Sequence, residues 1–202
     1  PLRGSKRTTL EGGIRVPFLV SWPGRLTPGV YDQPVIQLDL TATALTAAGL
    51  DAPADRRLEG VDLLPFLAGV KKGAPHDALY WRFGQQMAVR AGDFKLVRYD
   101  GNADTLTGAR NQPPSALKLY NLATDIGEER DLTAAMPEKV RELQAKWDAW
   151  NAANVKPLWG GQHLDDDGDG KGDACDDAQA DPEGEITFEC RHRVSLWWME
   201  IG

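Results

Sequence analysis

The sequence predicts a mixed α/β chain: a portion of a larger α/β layer first, then a small four-stranded antiparallel sheet packed on a helix, and finally an acidic loop. Three observations carry this reading. A Gly-rich polar loop runs into an apolar stretch near the start, four short β-prone runs cluster from Ala78 to Leu122, and a periodic apolar stripe begins after Pro137.

Taken in order, PLRGSKRTTLEGGIRVPFLVSWPG reads as a loop feeding a buried strand, Ile14 to Trp22, which Pro23 and Gly24 terminate. Val35 to Ala48 is Ala-, Leu- and Thr-rich. Asp39 stands where it can cap free backbone N–H groups and Gly49 where a left-handed residue ends a helix, so a short helix is expected. The runs ALYWRF, QMAVRAG, DFKLVRYD and LKLYNL are separated by Gly, Asp, Asn and Pro and predict four antiparallel strands. Asn102 to Ser115 is polar, contains Pro113 and Pro114, and predicts an exposed loop.

Pro137 opens a helix with Glu138 in its first turn, and Val140, Leu143, Trp147 and Trp150 form its apolar stripe. That stripe is expected to cover one face of the small sheet. Beyond Trp159 the chain turns Gly- and Asp-rich, and its closing ITFECRHRVSLWWMEIG suggests no role. The expected division is 1–77, a portion of a large α/β domain; 78–159, a small domain; 160–181, an acidic repeat; and 182–202, a tail.

At 202 residues and 42% hydrophobic, the chain can bury a core. No stretch approaches the roughly 20 apolar residues that cross a bilayer, so no membrane span is expected. There is neither an initiator Met nor a signal-like N-terminus, which predicts that Pro1 lies inside a longer natural chain. The net charge of −7 is a local matter: ten acidic residues and one Lys between Gly161 and Glu185 account for −9, leaving about +2 elsewhere. No nucleic-acid partner is expected.

Lys6 lies among Arg3, Arg7 and small residues, in a loop that can attract an oxyanion; the plain alternative is a solvated loop lysine. The stretch LRGSKRTTLEGGIRVPFLVSWPG, however, resembles the lysine-bearing segment of the formylglycine-dependent sulfatases, the arylsulfatase family of the alkaline phosphatase superfamily. The resemblance continues through VIQLDLTATALTAAGL, LEGVDLLPFLAG, AVRAGDFKLVRY and KLYNLATDIGEERDL, and covers about Pro1 to Trp159. It implies that Lys6 is a catalytic, substrate-binding residue that contacts an oxygen of the sulfate ester. A fixed cation there stabilises charge that builds as the S–O bond breaks.

The pattern departs at Ser5, Arg7 and Leu10, where Gly, Gly and an aromatic residue are usual. Glu11 with Arg15 reads as a local pair, and Gly12 and Gly13 as residues that permit a turn. The resemblance also implies a formylglycine nucleophile and a catalytic Ca²⁺. Their motif is not in this chain and is expected upstream, so the chain alone is expected to be inactive. His76, His163 and His192 match no part of the family's active site. Tyr80, Trp81, Phe83, Tyr99 and Trp150 read as core packing, with Trp81 and Arg82 the pair to test as a substrate-side contact.

In LDDDGDGKGDACDD, Asp165, Asp167, Asp169, Asp173 and Asp176 fall at positions 1, 3, 5, 9 and 12, with the Lys171 carbonyl at 7 and Gly170 at the turn. Those are the positions by which a short loop wraps oxygens around Ca²⁺; the alternative is a solvated acidic linker. No amphipathic helix follows, and DGDGKGDACD resembles a thrombospondin type 3 repeat. That resemblance implies a structural Ca²⁺, a structural Cys175 with a bridge to Cys190 left open, and a periplasmic or extracellular location.

Three functions therefore stand open: the C-terminal part of a sulfatase acting on aryl or carbohydrate sulfates, with the upstream part of the same protein as partner; a calcium-dependent adhesion or spacer module on a non-catalytic sulfatase-like scaffold; and a phosphoester or phosphonate-ester hydrolase of the same superfamily.

Overall fold

The computed structural model describes residues 2–51, 58–101 and 113–155, together with the backbone of 178–180 and 186–188. The chain divides into two units, Pro1–Asn154 and Val155–Gly202.

In the first unit the β-prone runs form β1 (Leu79–Phe83), β2 (Gln86–Ala91), β3 (Phe94–Arg98) and β4 (Lys118–Asn121). They pair antiparallel in chain order, with Leu79 opposite Arg90, Val89 opposite Leu96 and Lys95 opposite Tyr120. Two-residue turns join the first three strands. Gly84 and Gly92 open these turns at φ +57°, which suits the right-handed twist of a hairpin.

The pleat sends alternate residues to opposite faces, and each face has its own core. On one side Met87, Val89, Leu96 and Leu119 pack with Leu143 of a long helix, Pro137–Ala152, called α4 below. Leu143 has 0% exposure, and burying such a side chain contributes about 1.5–3 kcal/mol. The stripe expected from sequence is present: Val140 and Trp147 join that core, and Trp150 stacks on Tyr80 with ring centroids 5.2 Å apart.

The opposite face carries Ala88, Val97, Tyr99 and Tyr120, and its cover comes from the start of the chain. Leu10 lies at 0% exposure in that core, so the Lys6 loop and α4 sandwich the sheet between them. Nothing in the periodicity of residues 1–13 announced this.

Three shorter helices precede the sheet: α1 (Glu11–Ile14), α2 (Asp39–Ala47) and α3 (Leu64–Leu67); with them Pro137–Ala152 is the fourth. The helix expected over Val35 to Ala48 begins only at Asp39, and Gly49, at φ +71°, ends it as expected. Asp39 caps no helical N–H. Its carboxylate, fully buried, instead accepts from the backbone N–H of Ile36 and Val61 and meets His76 Nε2 at 2.8 Å, tying three segments together.

The strand expected over Ile14 to Trp22 is not formed. Glu11 to Ile14 is helical, residues 15–22 belong to no helix or strand, and Val16 and Leu19 are 74% and 94% exposed. A β-prone run becomes a strand only when a neighbour takes its N–H and C=O groups, and no described strand lies beside this one.

The second unit contains a two-stranded antiparallel pair, β5 (Ala178–Ala180) with β6 (Ile186–Phe188). The remaining residues of the acidic segment, including Asp165, Asp167, Asp169, Lys171, Asp173, Asp176 and Cys175, lie outside the described residues, as do Cys190, His163 and His192.

Candidate active site

Lys6 occupies a tight turn from Ser5 to Thr8. The Thr8 N–H donates to the Ser5 carbonyl at 3.1 Å, and the Thr8 hydroxyl donates to the same oxygen at 2.9 Å. Lys6 and Arg7 are the central residues, and Arg7 has φ +79°, the mark of the third residue of a type II turn. That is where glycine is at ease, and a side chain there costs about 1–2 kcal/mol. The physical reason for glycine at this place in the resembled pattern is thus visible, and Arg7 stands in it nonetheless. Lys6 and Arg7 are both exposed.

The turn is held from outside by Gln86, the first residue of β2 and a buried one. Its Nε2 donates to the Arg7 carbonyl at 2.9 Å, and its Oε1 accepts the Thr9 N–H at 3.3 Å. Two such bonds, at about 0.5–1.5 kcal/mol each, fasten the loop to the start of β2. The Thr9 hydroxyl adds a bond to the Arg98 carbonyl at 3.0 Å.

Below the turn lies an ionic cluster that sequence reasoning missed. Lys95 Nζ, on β3, stands 2.9 Å from Glu11 Oε1 and 2.8 Å from Glu128 Oε1, and the Lys95 and Glu128 side chains have 0% exposure. Glu128 Oε2 accepts the Glu11 N–H at 2.7 Å, and the Glu128 carbonyl accepts from the Arg3 guanidinium at 3.0 Å. The Arg3 guanidinium also lies 5.2 Å from the Tyr99 ring centroid. Burial pushes the Glu128 carboxyl up from its ordinary pKa, and the attraction of Lys95 offsets only part of that rise. Arg15 does meet Glu11, at 3.8 Å, but it is the outer and weaker partner. The available signal was Lys95 itself, a lysine within FKLVRY, a strand whose other residues are mostly apolar.

Gly12 and Gly13 serve otherwise than expected. Neither has a positive φ; they are small because the loop backbone crosses them. A Cβ on Gly12 would stand 2.5 Å from the Gly4 carbonyl oxygen, and one on Gly13 would stand 2.2 Å from that of Thr8. His76 is committed to Asp39. Trp81 packs on the core beneath the Lys6 loop, and Arg82 bonds Asn151 at 2.6 Å. Among the described residues no three His, Cys, Asp or Glu side chains converge to hold a metal ion.

Residues 4–146 match the family described as N-sulphoglucosamine sulphohydrolase, C-terminal. The chain belongs to the sulfatase family. The matched span of this sulfatase segment runs from the Lys6 loop through the sheet into α4, so the two covers of the sheet and the sheet itself fall inside it. The segment is 43% identical over 180 residues to steryl-sulfatase of Rattus norvegicus, covering 77% of this chain and 31% of that protein. It is 36% identical over 162 residues to arylsulfatase A of Bos taurus, covering 71% and 31%. Among solved structures it resembles Ps i-CgsB in complex with k-i-k-neocarrahexaose, with a TM-score of 0.62 and 26% identity, covering 79% of this chain and 34% of that one. The sulfatase segment thus spans about a third of the length of these relatives.

Proposed function

We propose that the chain is the C-terminal part of a sulfuric ester hydrolase and that Lys6 is its contribution to the active site. One observation carries the reading: within a segment matched to the sulfatase family, Lys6 tops a pinned turn with its side chain exposed. A lysine so held offers a fixed positive charge to one oxygen of a sulfate ester. As the S–O bond lengthens, negative charge grows on the sulfuryl oxygens, and a cation already in place stabilises it without having to reorganise. The substrate class is an aryl or carbohydrate sulfate. In this reading the nucleophile, a formylglycine, and the catalytic Ca²⁺ come from other parts of the protein.

Residues 1–77 in this reading adjoin the larger α/β domain. The exposed Val16, Leu19, Val30 and Val70 support that placement, since an apolar run in water favours cover. Residues 78–159 are the small domain and 182–202 a tail. The acidic residues Asp165, Asp167, Asp169, Asp173 and Asp176, with the Lys171 carbonyl, form a separate structural Ca²⁺ loop of the thrombospondin type 3 kind. A periplasmic or extracellular location follows from millimolar Ca²⁺.

Lys6→Ala in the intact protein tests the catalytic assignment. The expected result is a fall of about 10²–10³ in kcat on an aryl sulfate, as when a donor to developing negative charge is removed, with the thermal midpoint unchanged. Activity within twofold of the parent would refute it.

A further inference from the structure

We propose that Arg7 is a second anion-binding residue of the site: its guanidinium takes a sulfate or carboxylate beside the sulfate ester held by Lys6, which fits the site to carbohydrates carrying more than one negative group. The inference rests on the reading of Lys6 as the ligand of the reacting sulfate.

Two non-glycine residues among those described have positive φ, Arg7 at +79° and Glu128 at +55°. The left-handed region is costly for a residue that is neither Gly, Asn nor Asp. At Glu128 the fold offsets that cost, because the side chain is wholly buried, meets Lys95 at 2.8 Å and accepts the Glu11 N–H at 2.7 Å. Arg7 has no such compensation. Its side chain is exposed, and among the described residues its guanidinium has neither hydrogen bond nor ion pair; only its carbonyl is held, by Gln86. A strained residue whose side chain the fold does not use points to a ligand.

The charge around Arg7 has the same sense. Residues 1–10 contain Arg3, Lys6 and Arg7 and no carboxylate. Arg3 is turned into the fold, donating to the Glu128 carbonyl at 3.0 Å and lying over the Tyr99 ring. Glu11, the nearest acidic residue in sequence, is buried and committed to Lys95. Lys6 and Arg7 thus stand as neighbouring exposed cations that no described carboxylate neutralises. Consecutive Cα atoms are about 3.8 Å apart, so one turn can meet two anionic groups of one saccharide. A guanidinium takes two oxygens of a sulfate or carboxylate side by side, whereas an ammonium acts as a point charge. The two residues therefore suit different tasks, Lys6 on the reacting ester and Arg7 on its neighbour.

The test measures calorimetric binding of three probes to the intact protein. Inorganic sulfate presents one anion, sucrose octasulfate presents sulfates on adjacent carbons, and trigalacturonate presents carboxylates alone. Arg7→Asn removes the charge and keeps a residue that tolerates positive φ, so the turn is preserved. It is expected to weaken sucrose octasulfate about 10- to 100-fold, as loss of a charged hydrogen-bonding partner does, and inorganic sulfate by no more than about threefold. Trigalacturonate weakened by the same factor extends the assignment to carboxylates; trigalacturonate unaffected restricts it to sulfate. Arg141→Gln, at an exposed cation on α4, is the control and should leave all three probes unchanged. In the 202-residue chain, Arg7→Gly should raise the thermal midpoint by about 2–8 °C, because glycine relieves the strain. No binding of sucrose octasulfate by the parent, equal weakening of sucrose octasulfate and inorganic sulfate in Arg7→Asn, no weakening of either, or a lower midpoint in Arg7→Gly overturns the proposal. Selective weakening of sucrose octasulfate in Arg7→Asn, with full aryl sulfate hydrolysis in Lys6→Ala, upholds Arg7 and overturns the reading of Lys6 alone.

Discussion

Lys95 Nζ bonds Glu11 Oε1 at 2.9 Å across 84 residues of sequence, with the lysine side chain wholly buried. This contact joins the helix that follows the Lys6 turn to the centre of the sheet, and Glu128 closes it from the third side. The sheet and the segment that carries the Lys6 turn are therefore tied by one cluster.

Removing the buried cation between the two carboxylates leaves Glu128 without its ion-pair partner and Glu11 with only the outer Arg15 at 3.8 Å. Lys95→Met is therefore expected to cost about 3–5 kcal/mol, read as a lower midpoint in urea unfolding. The exposed pair Arg141–Glu138 on α4 is a control, and Arg141→Met should leave the midpoint where it was. Equal effects of the two substitutions would remove the cluster from this account.

Acid–base behaviour should separate Glu128 from Asp131. Burial raises the Glu128 carboxyl, so above its ordinary 4.5 the folded chain keeps a proton that the unfolded chain has released. Its contribution to stability is complete below 4.5 and is lost as pH rises through the raised value. Asp131 runs the other way. Burial would raise it, but bonds from Thr133 and the Leu119 N–H outweigh burial and lower it, so its contribution is lost as pH falls below the ordinary 3.8. Unfolding free energies measured from pH 4 to 8 should decline less steeply in Glu128→Gln than in the parent, and an unchanged slope would contradict the assignment.

Close approach, rather than turn conformation, dictates Gly13. A methyl group there meets the Thr8 carbonyl oxygen at 2.2 Å, so Gly13→Ala should destabilise by about 1–3 kcal/mol or more and speed amide exchange at Thr8 and Thr9. Gly29→Ala is the control, since its nearest neighbour, the Thr27 carbonyl oxygen, lies at 4.0 Å.

The proposed calcium loop is tested by titration. Calorimetry on the 202-residue chain should show a Ca²⁺ site that Asp167→Ala weakens at least tenfold, because it removes one charged oxygen ligand. No binding by the parent, or binding indifferent to Asp167, would reduce the segment to a solvated acidic linker.

Much of the four-stranded sheet and of α4 was legible in the sequence because their signals are local. Alternation in LYWRF, QMAVRA and FKLVR specifies strands within five or six residues, and the spacing of Val140, Leu143 and Trp147 specifies one face of a helix. The Lys6 motif was legible for the same reason, as a contiguous string.

Only the tertiary structure decided what depends on partners far along the chain. It placed Leu10 in the sheet's second core and brought Gln86 to Arg7 across 79 residues and Glu128 to Glu11 across 117. It also left Ile14 to Trp22 without a strand, because pairing belongs to a neighbour and not to the run itself. Composition and periodicity report which surface a residue prefers. They do not report which distant group will be waiting there.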